Sequence, residues 1–342
     1  MTLDGAKTFA STSSLNWKFV QKLPIEWVIR WTSNNAIFPL YHTVSDDVLP
    51  HLSQLYDYRS SKQFVKDLDF LLKHYQPMDL QDLREYKKHG KRRSRAGFFL
   101  TFDDGLAQFY DVIAPILLRK GIPAACFINS SFVDNKDLMY RYKVSLILHT
   151  LKDCVGPIKD IAFTEYTGIN DYQILKKWLL DLTHKDIQTI NKLAAILGID
   201  IPAFLEAYTP YMTEQQIKKV IADGFYIGSH SMDHPRYDLC TLEEQLAQTK
   251  MSMDYVKEKF TQPFDLFAFP FSDVGVSYEF FRKCQGMDAT FGTSGIKNDP
   301  LVNHFHRIPM EISDFDGETI IKNQYFYYMC KAMIGKNTIK RR

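Results

Sequence analysis

Short apolar runs alternate with amphipathic segments along most of this chain. Most of these runs lack a regular polar alternation, which is typical of strands that are covered on both faces. The pattern predicts strands at AIFPLYHTV (36–44), AGFFLTFDD (96–104), AACFINSSFV (124–133), FYIGSHS (225–231), LFAFPFS (266–272), ATFGTS (289–294) and FHRIPME (305–311).

Amphipathic helical segments lie between the predicted strands. Residues 62–75 place Phe64, Leu68 and Leu71 on one apolar stripe. Further helices are predicted at 106–120, 213–224, 241–260 and 277–286. Three helices begin with a pair of residues at capping-box spacing, namely Ser60 and Gln63, Thr213 and Gln216, and Thr241 and Glu244. Because strand and helix alternate, we expect a parallel sheet, either open or closed into a barrel.

Residues 137–207 interrupt this alternation, because they carry helical patterns almost throughout. Strands resume after them, so we interpret the segment as a helical insertion between the third and fourth strands, not as a separate domain. The chain then divides into an N-terminal extension (1–35), a main domain (36–330) and a basic C-terminal tail (331–342).

The composition allows a substantial core, since 45% of the 342 residues are hydrophobic and 14% are aromatic. A formal net charge of +2 does not indicate a nucleic-acid partner. The basic runs KKHGKRRSR (87–95) and KNTIKRR, at the end, are expected to be a solvated loop and a solvated terminus. Five dispersed cysteines without a CxxC motif predict free thiols and no cysteine-based zinc site.

The first residues lack the features of a secretory signal, and no apolar run is long enough to span a membrane. We therefore expect a cytoplasmic protein. Residues 17–31 carry three of the four tryptophans among basic residues. This segment either lies on a membrane surface, at its inner face, or packs against the outside of the main domain.

Asp103 and Asp104 come where the second predicted strand ends, and Gly105 allows a sharp exit from it. Ligands of parallel α/β folds bind at the carboxyl ends of strands. Neighbouring residues leave a strand on opposite sides, so one carboxylate could bind a metal while the other handles a proton. Alternatively, an aspartate here caps the following helix.

His230 and His234 follow another predicted strand and are four residues apart. Pro235 disfavours a helix at His234, so a tight loop is expected to bring both rings to one ion. Two histidines and one aspartate form a three-ligand set that leaves positions for water and substrate, as in catalytic metal sites. Such a set suits zinc first, and also cobalt or nickel.

The motif LTFDDG, followed far downstream by GFYIGSHSMDHP, resembles the polysaccharide deacetylase family. Its shared unit is often called the NodB homology domain, and the family is carbohydrate esterase family 4-like. The resemblance covers roughly residues 36–315 without the insertion. It extends to YHTVSDD (41–47), KGIPAACFI (120–128), FAFPF (267–271) and HRIPME (306–311).

This resemblance implies an α/β fold, a distorted (β/α) barrel of about seven parallel strands, here with a helical insertion. The implied activity is metal-dependent removal of acetyl groups from amino sugars. Asp103 would be the general base. The implied metal ligands are Asp104, His230 and His234. The third family motif places an oxyanion-binding backbone N–H at Phe271, directly after Pro270.

The chain departs from the family pattern in two places. Ala268 stands where the family has an arginine that pairs with the base, and we predict that Arg307 replaces it. The general acid lacks a clear match. We predict His306 for this role, with His304 as the other candidate, and His42 either faces the substrate or packs in the core.

The sequence thus predicts a metal-dependent deacetylase of N-acetylated sugars in a polysaccharide or its lipid-linked precursor. One rival is an amidohydrolase that acts on a small non-sugar amide. A second rival is an inactive relative that only binds glycan.

Overall fold

A computed structural model describes residues 20–32, 34–89, 95–152, 161–311 and 315–341. Most of its strands are buried, as their unbroken apolar runs predicted. The strands are β1 (Ala36–Ile37), β2 (Pro39–Tyr41), β3 (Gln76–Pro77), β4 (Gly97–Phe98), β5 (Leu100–Phe102), β6 (Ala124–Ile128), β7 (Tyr226–Ser229), β8 (Leu266–Ala268), β9 (Ala289–Gly292), β10 (His304–His306) and β11 (Ile308–Pro309). All pairings between these strands are parallel.

The main sheet closes on itself. Eight strands follow the order β10-β9-β8-β7-β6-β5-β2-β11, while β1, β4 and β3 form a small second sheet. The two end strands are consecutive in the chain, with only Arg307 between them. Because β10 pairs with β9 and β11 pairs with β2, residues 304–309 join both edges. The predicted distorted (β/α) barrel is therefore confirmed.

Helices surround this barrel. They are α1 (Ile25–Thr32), α2 (Ser61–His74), α3 (Leu80–His89), α4 (Ala114–Lys120), α5 (Tyr140–Leu151), α6 (Ile161–Thr167), α7 (Tyr172–Asp181), α8 (Ile187–Ile196), α9 (Ile201–Tyr208), α10 (Glu214–Ala222), α11 (Leu242–Lys259), α12 (Tyr278–Lys283) and α13 (Gly317–Met333). The three predicted capping boxes are formed at the starts of α2, α10 and α11. A π-helical turn, Phe109–Ile113, precedes α4.

Aromatic side chains fill the barrel interior. Phe38 and Phe305 lie with ring centroids 4.9 Å apart, and Phe291 stacks on Phe305 at 5.6 Å. Phe99 and Phe127 belong to the same buried cluster. The interior is therefore packed with rings, and polar side chains gather at the carboxyl ends of the strands.

The predicted insertion forms helices α5 to α9 between β6 and β7. Their apolar faces make a second core that also includes Leu52, Leu106 and Phe132. Helix α5 is buried on most of its surface. It lies between the rest of the insertion and the rim of the barrel, so the insertion borders the carboxyl ends of the strands.

The two ends of the described chain pack on the barrel. Helix α1 buries Ile25 and Val28, whereas Trp27 and Trp31 are 55% and 56% exposed. Trp17 and most of the basic run at 87–95 lie outside the described residues. The tail was expected to be a solvated terminus, but Ile339 bonds to Asn298, and the Arg341 side chain is only 4% exposed.

The sequence predicted free thiols and no membrane-spanning segment. Among the described cysteines, Cys126, Cys240, Cys284 and Cys330 are free, and Cys154 lies outside the described residues. Within the described part of the chain, no helix has both the length and the apolar character that a membrane crossing requires.

Candidate active site

Three loops meet at the carboxyl rim of the barrel, after β5, β7 and β8. The Asp103 N–H donates to the Tyr41 carbonyl at 3.0 Å, and the His230 N–H donates to the Ile128 carbonyl at 2.9 Å. These bonds continue the parallel ladders to the first residue beyond each strand. The catalytic candidates therefore start from rigid strand ends.

A sharp turn follows Asp103. Asp104 and Gly105 both have left-handed backbone angles, with φ of 71° and 67°. A Cβ on Gly105 would lie only 2.9 Å from Ile128 Cγ2, so the turn requires glycine both for its conformation and for the close approach. The next helical turn has Gln108 at its N-cap and no side-chain cap, so neither aspartate caps it.

Asp104, His230 and His234 converge on one buried point. The Asp104 Oδ1 atom is 3.5 Å from His230 Nε2 and 3.4 Å from His234 Nε2. One ligand atom from each residue lies within 4.8 Å of the others, and all three residues are buried. The structure therefore brings together the three residues that the resemblance implies as metal ligands.

The hydrogen bonds around His230 indicate that a cation fits here. Its Nδ1 lies 2.8 Å from the Ala268 carbonyl, which can only accept, so Nδ1 carries the hydrogen. The lone pair of Nε2 then faces the Asp104 carboxylate. Asp104 Oδ1 is buried and has no hydrogen-bond partner among the described residues. Acceptors that face one another without a proton between them suit a bound divalent ion.

The second oxygen of Asp104 is held by the insertion. Tyr142 on α5 donates its hydroxyl to Asp104 Oδ2 at 2.5 Å, and its ring is fully buried. This bond fixes the orientation of the carboxylate and directs Oδ1 toward the two histidines. Sequence reasoning missed Tyr142, because α5 is buried nearly all round and its pattern marks no functional face.

His234 is kept neutral by its surroundings. Its backbone is left-handed, with φ of 62°, and its ring lies 4.5 Å from the Phe271 ring. Burial lowers the pKa of His234 well below its ordinary value, and the positive charge of His42 lowers it further. A neutral imidazole is the form that binds a metal.

Asp103 is paired with Arg307. The guanidinium donates from Nη1 to Asp103 Oδ1 at 2.6 Å and from Nη2 to Oδ2 at 2.9 Å. It also lies over the Phe127 ring, 5.5 Å from its centroid. Burial alone would raise the pKa of Asp103, but the charge and the hydrogen bonds of Arg307 outweigh burial and hold this pKa below its usual range.

His42 lies beside Asp103 on the neighbouring strand end. Tyr41 is in register with Phe102, so the next residues of the two strands are also side by side. His42 is half-buried, and its Nδ1 is 2.8 Å from Glu311 Oε2. Burial opposes protonation, but Glu311, with smaller contributions from Asp104 and Asp103, outweighs it and raises the pKa of His42 to about 9.

The other predicted residues lie in two places. Pro270 and Phe271 follow β8, and Phe271 has φ of 58° beside His234. His306 is not brought to this rim. Its Nε2 contacts Asp299 at 3.0 Å, and it belongs with His304 and Asp273 to a separate cluster. Its predicted role as general acid therefore finds no support in the geometry, because side chains alternate along a strand and Arg307 takes the inward position.

Comparisons with known proteins agree with this geometry. The family model described as "Polysaccharide deacetylase" matches residues 90–287, which is more than half of the chain. No curated protein sequence matches the chain.

Three solved structures have a similar fold. The Streptococcus pyogenes deacetylase PplD is 13% identical, with a TM-score of 0.53 over 84% of this chain and 97% of its own. IcaB from Ammonifex degensii is 16% identical, with a TM-score of 0.52 over 85% and 97%. A de-N-acetylase from Aggregatibacter actinomycetemcomitans is 15% identical, with a TM-score of 0.53 over 84% and 99%.

Proposed function

The chain belongs to the polysaccharide deacetylase family, and from this premise we propose that it is a metal-dependent hydrolase. It would remove acetyl groups from N-acetylated sugars of a polysaccharide or of its lipid-linked precursor. One observation carries the proposal: a buried Asp104–His230–His234 cluster with an unpartnered carboxylate oxygen lies directly beside a charged, arginine-paired Asp103.

Asp104, His230 and His234 would hold the ion, with zinc as the first choice and cobalt or nickel as alternatives. When bound, such an ion polarises an acyl oxygen and makes a water molecule more acidic. The chain itself orients these ligands. The Ala268 carbonyl fixes the tautomer of His230, and the Tyr142 hydroxyl fixes the carboxylate of Asp104.

Asp103 would act as the general base. It must be unprotonated to accept a proton from the attacking water, and its lowered pKa keeps it so. Its Oδ2 atom is 3.6 Å from His230 Nε2, so it lies next to the ligand cluster without belonging to it. Arg307 would hold both oxygens in place while the carboxylate changes its charge.

The backbone N–H of Phe271 would stabilise negative charge on the acyl oxygen. Within the described part of the chain this N–H makes no hydrogen bond, and its residue lies against the His234 ring. A fixed backbone donor at this position needs no reorganisation during the reaction. The left-handed backbone of Phe271 gives this donor its direction.

His42, which we expected either to face the substrate or to pack in the core, is our proposed general acid in place of His306. The leaving amine needs a proton, and a histidine with a pKa of about 9 carries one at neutral pH. Its Glu311 partner follows β11, the strand that pairs with β2, and contacts the ring at Nδ1, which leaves Nε2 to donate.

The decisive experiment measures acetate release from a panel of acetylated glycans and small acetylated non-sugar amides. Wild type and Asp103→Asn would be compared after chelation and after metal is added back. We expect wild-type activity that depends on metal and a nearly inactive variant that still binds metal. Release only from small non-sugar amides would favour the amidohydrolase. Glycan binding without acetate release would favour an inactive binding protein.

A further inference from the structure

A second cluster of histidines and aspartates lies on the outer face of the barrel wall. His304 and His306 are two apart on β10, so both point to the same side, opposite to Arg307. They face Asp273, which follows β8, and Asp299. All four side chains are at most 3% exposed. The ring of Phe281 on α12 covers the cluster, 5.3 Å from the His304 ring.

Polar groups flank the His304 ring on both sides. Its Nδ1 lies 2.7 Å from the Thr290 hydroxyl, which also reaches the Asn303 carbonyl at 3.3 Å. In the tautomer in which Thr290 accepts from Nδ1, the lone pair of Nε2 faces Asp273 Oδ2 at 3.3 Å. A lone pair and a carboxylate at this distance require either a proton or a metal ion between them.

At His306, too, a ring nitrogen lies near a carboxylate oxygen without a hydrogen bond between them. Its Nε2 pairs with Asp299 Oδ2 at 3.0 Å, which leaves Nδ1 as the other nitrogen. His306 Nδ1 and Asp273 Oδ1 are both buried, and neither has a hydrogen-bond partner among the described residues. The two atoms are 3.9 Å apart, too far for a hydrogen bond but within the span of two ligands of one ion.

Two neighbouring residues leave the space between His306 Nδ1 and Asp273 Oδ1 open. Gly292 has no side chain, and a Cβ there would collide with the Asp273 carboxylate and the His304 ring. Arg341 donates from Nη2 to Oδ2 of Asp273 at 2.7 Å and to Oδ2 of Asp299 at 2.6 Å. The guanidinium therefore occupies the Oδ2 side of Asp273 and leaves Oδ1 without a cation.

We propose that His304 Nε2, His306 Nδ1 and Asp273 bind a second divalent transition-metal ion, separate from the catalytic rim. Thr290 and Asp299 orient the two imidazoles by accepting their outer N–H groups, as carboxylate and hydroxyl partners of metal-bound histidines do. Two imidazoles and a carboxylate select zinc, cobalt or nickel over magnesium or calcium. The site would join β8 to β10 and anchor the loop that carries Asp299.

Metal content tests this proposal without any assay of activity. The full chain would be stripped by a chelator, reloaded with Co²⁺, desalted and analysed for bound metal and for its visible spectrum. Wild type should hold one ion per cluster. The His230→Ala/His234→Ala double variant should keep the ion of the second cluster, and the His304→Gln/His306→Gln double variant should keep only the ion of the rim.

His51→Gln is the matched control, because His51 is a fully buried histidine outside both clusters and its loss should leave the metal content unchanged. Far-UV circular dichroism would verify the fold of each variant. If the His304→Gln/His306→Gln variant does not fold, the rim variant alone decides: a metal-free His230→Ala/His234→Ala protein overturns the proposal. Full metal content in a folded His304→Gln/His306→Gln protein overturns it as well. Either result leaves the proposed deacetylase function untouched, since that function depends on the rim cluster.

Discussion

Arg307 donates to both carboxylate oxygens of Asp103, although 204 positions separate the two residues. The guanidinium approaches from the run that closes the barrel, whereas the family pattern places an arginine at position 268. Position 268 is alanine here, and its methyl side chain cannot pair with Asp103. The chain thus keeps an arginine partner for Asp103 but supplies it from a different strand run.

Arg307→Lys should reduce turnover by about 10²-fold or more, because an ammonium cannot reproduce two parallel hydrogen bonds to a carboxylate. Metal content should stay at the wild-type value. The acid limb of the kcat/KM profile should also move to higher pH, since weaker pairing lets the pKa of Asp103 rise toward the value that burial favours. Arg282→Lys, at an exposed side chain, is the control. Wild-type rates in Arg307→Lys would show that Arg307 has no role in the mechanism.

Glu311→Gln should move the alkaline limb of the pH–activity profile to lower pH. In wild type the acid form of His42 is lost as the pH rises through its pKa of about 9, and activity should fall there. Without the Glu311 charge, burial dominates and the pKa of His42 drops. Steady-state rates between neutral and alkaline pH measure the effect. Glu318→Gln, at an exposed residue paired with Lys322, should leave the limb in place. An unmoved limb in Glu311→Gln contradicts the assignment of His42.

Tyr142→Phe should weaken metal binding at the rim by about 10- to 100-fold, the usual effect of losing a group that orients a ligand. The substitution keeps the buried ring and removes only the donor to Asp104 Oδ2. Competition with a chromogenic chelator gives the dissociation constant. Tyr166→Phe, at an exposed tyrosine of the same insertion, provides the comparison. Equal affinities in the two variants would mean that the insertion does not tune the ligand set.

Trp27→Ser/Trp31→Ser should reduce binding to vesicles that contain anionic lipid. Helix α1 already buries Ile25 and Val28 in the core, and its two tryptophan rings lie together on the exposed face, 6.2 Å apart. Amphipathic aromatic rings next to basic side chains suit a membrane interface. Co-sedimentation measures the bound fraction. Tyr278→Ser removes an equally exposed aromatic ring elsewhere and should bind like wild type; no difference between the variants would refute the contact.

The sequence predicted the features that depend on local pattern. The capping boxes at Ser60, Thr213 and Thr241 are read within four residues, and each is formed. Unbroken apolar runs located the barrel strands, because strands buried on both faces need no polar alternation. The strand β3 was missed, since Gln76 and Pro77 are neither long nor apolar enough to mark one.

The site was predictable as far as its residues share a motif. Asp104, His230 and His234 came from two short motifs, whereas Tyr142 contacts Asp104 only through the packing of the insertion. The sequence partly indicates the second cluster, because the spacing of His304 and His306 places both side chains on one face of a strand. Its aspartates come from separate loops, and no spacing rule links them to that face before the barrel is closed.

The closing strand run has a consequence for synthesis of the chain. Asp103 leaves the ribosome 204 residues ahead of Arg307. Until residues 304–309 emerge, β9 and β2 are bare edges, and such edges attract strands from other polypeptides. The incomplete sheet is thus open to intermolecular pairing during the same interval in which Asp103 lacks its Arg307 counter-ion. Cover for both sheet edges and the Asp103–Arg307 ion pair arrive together with the final strand.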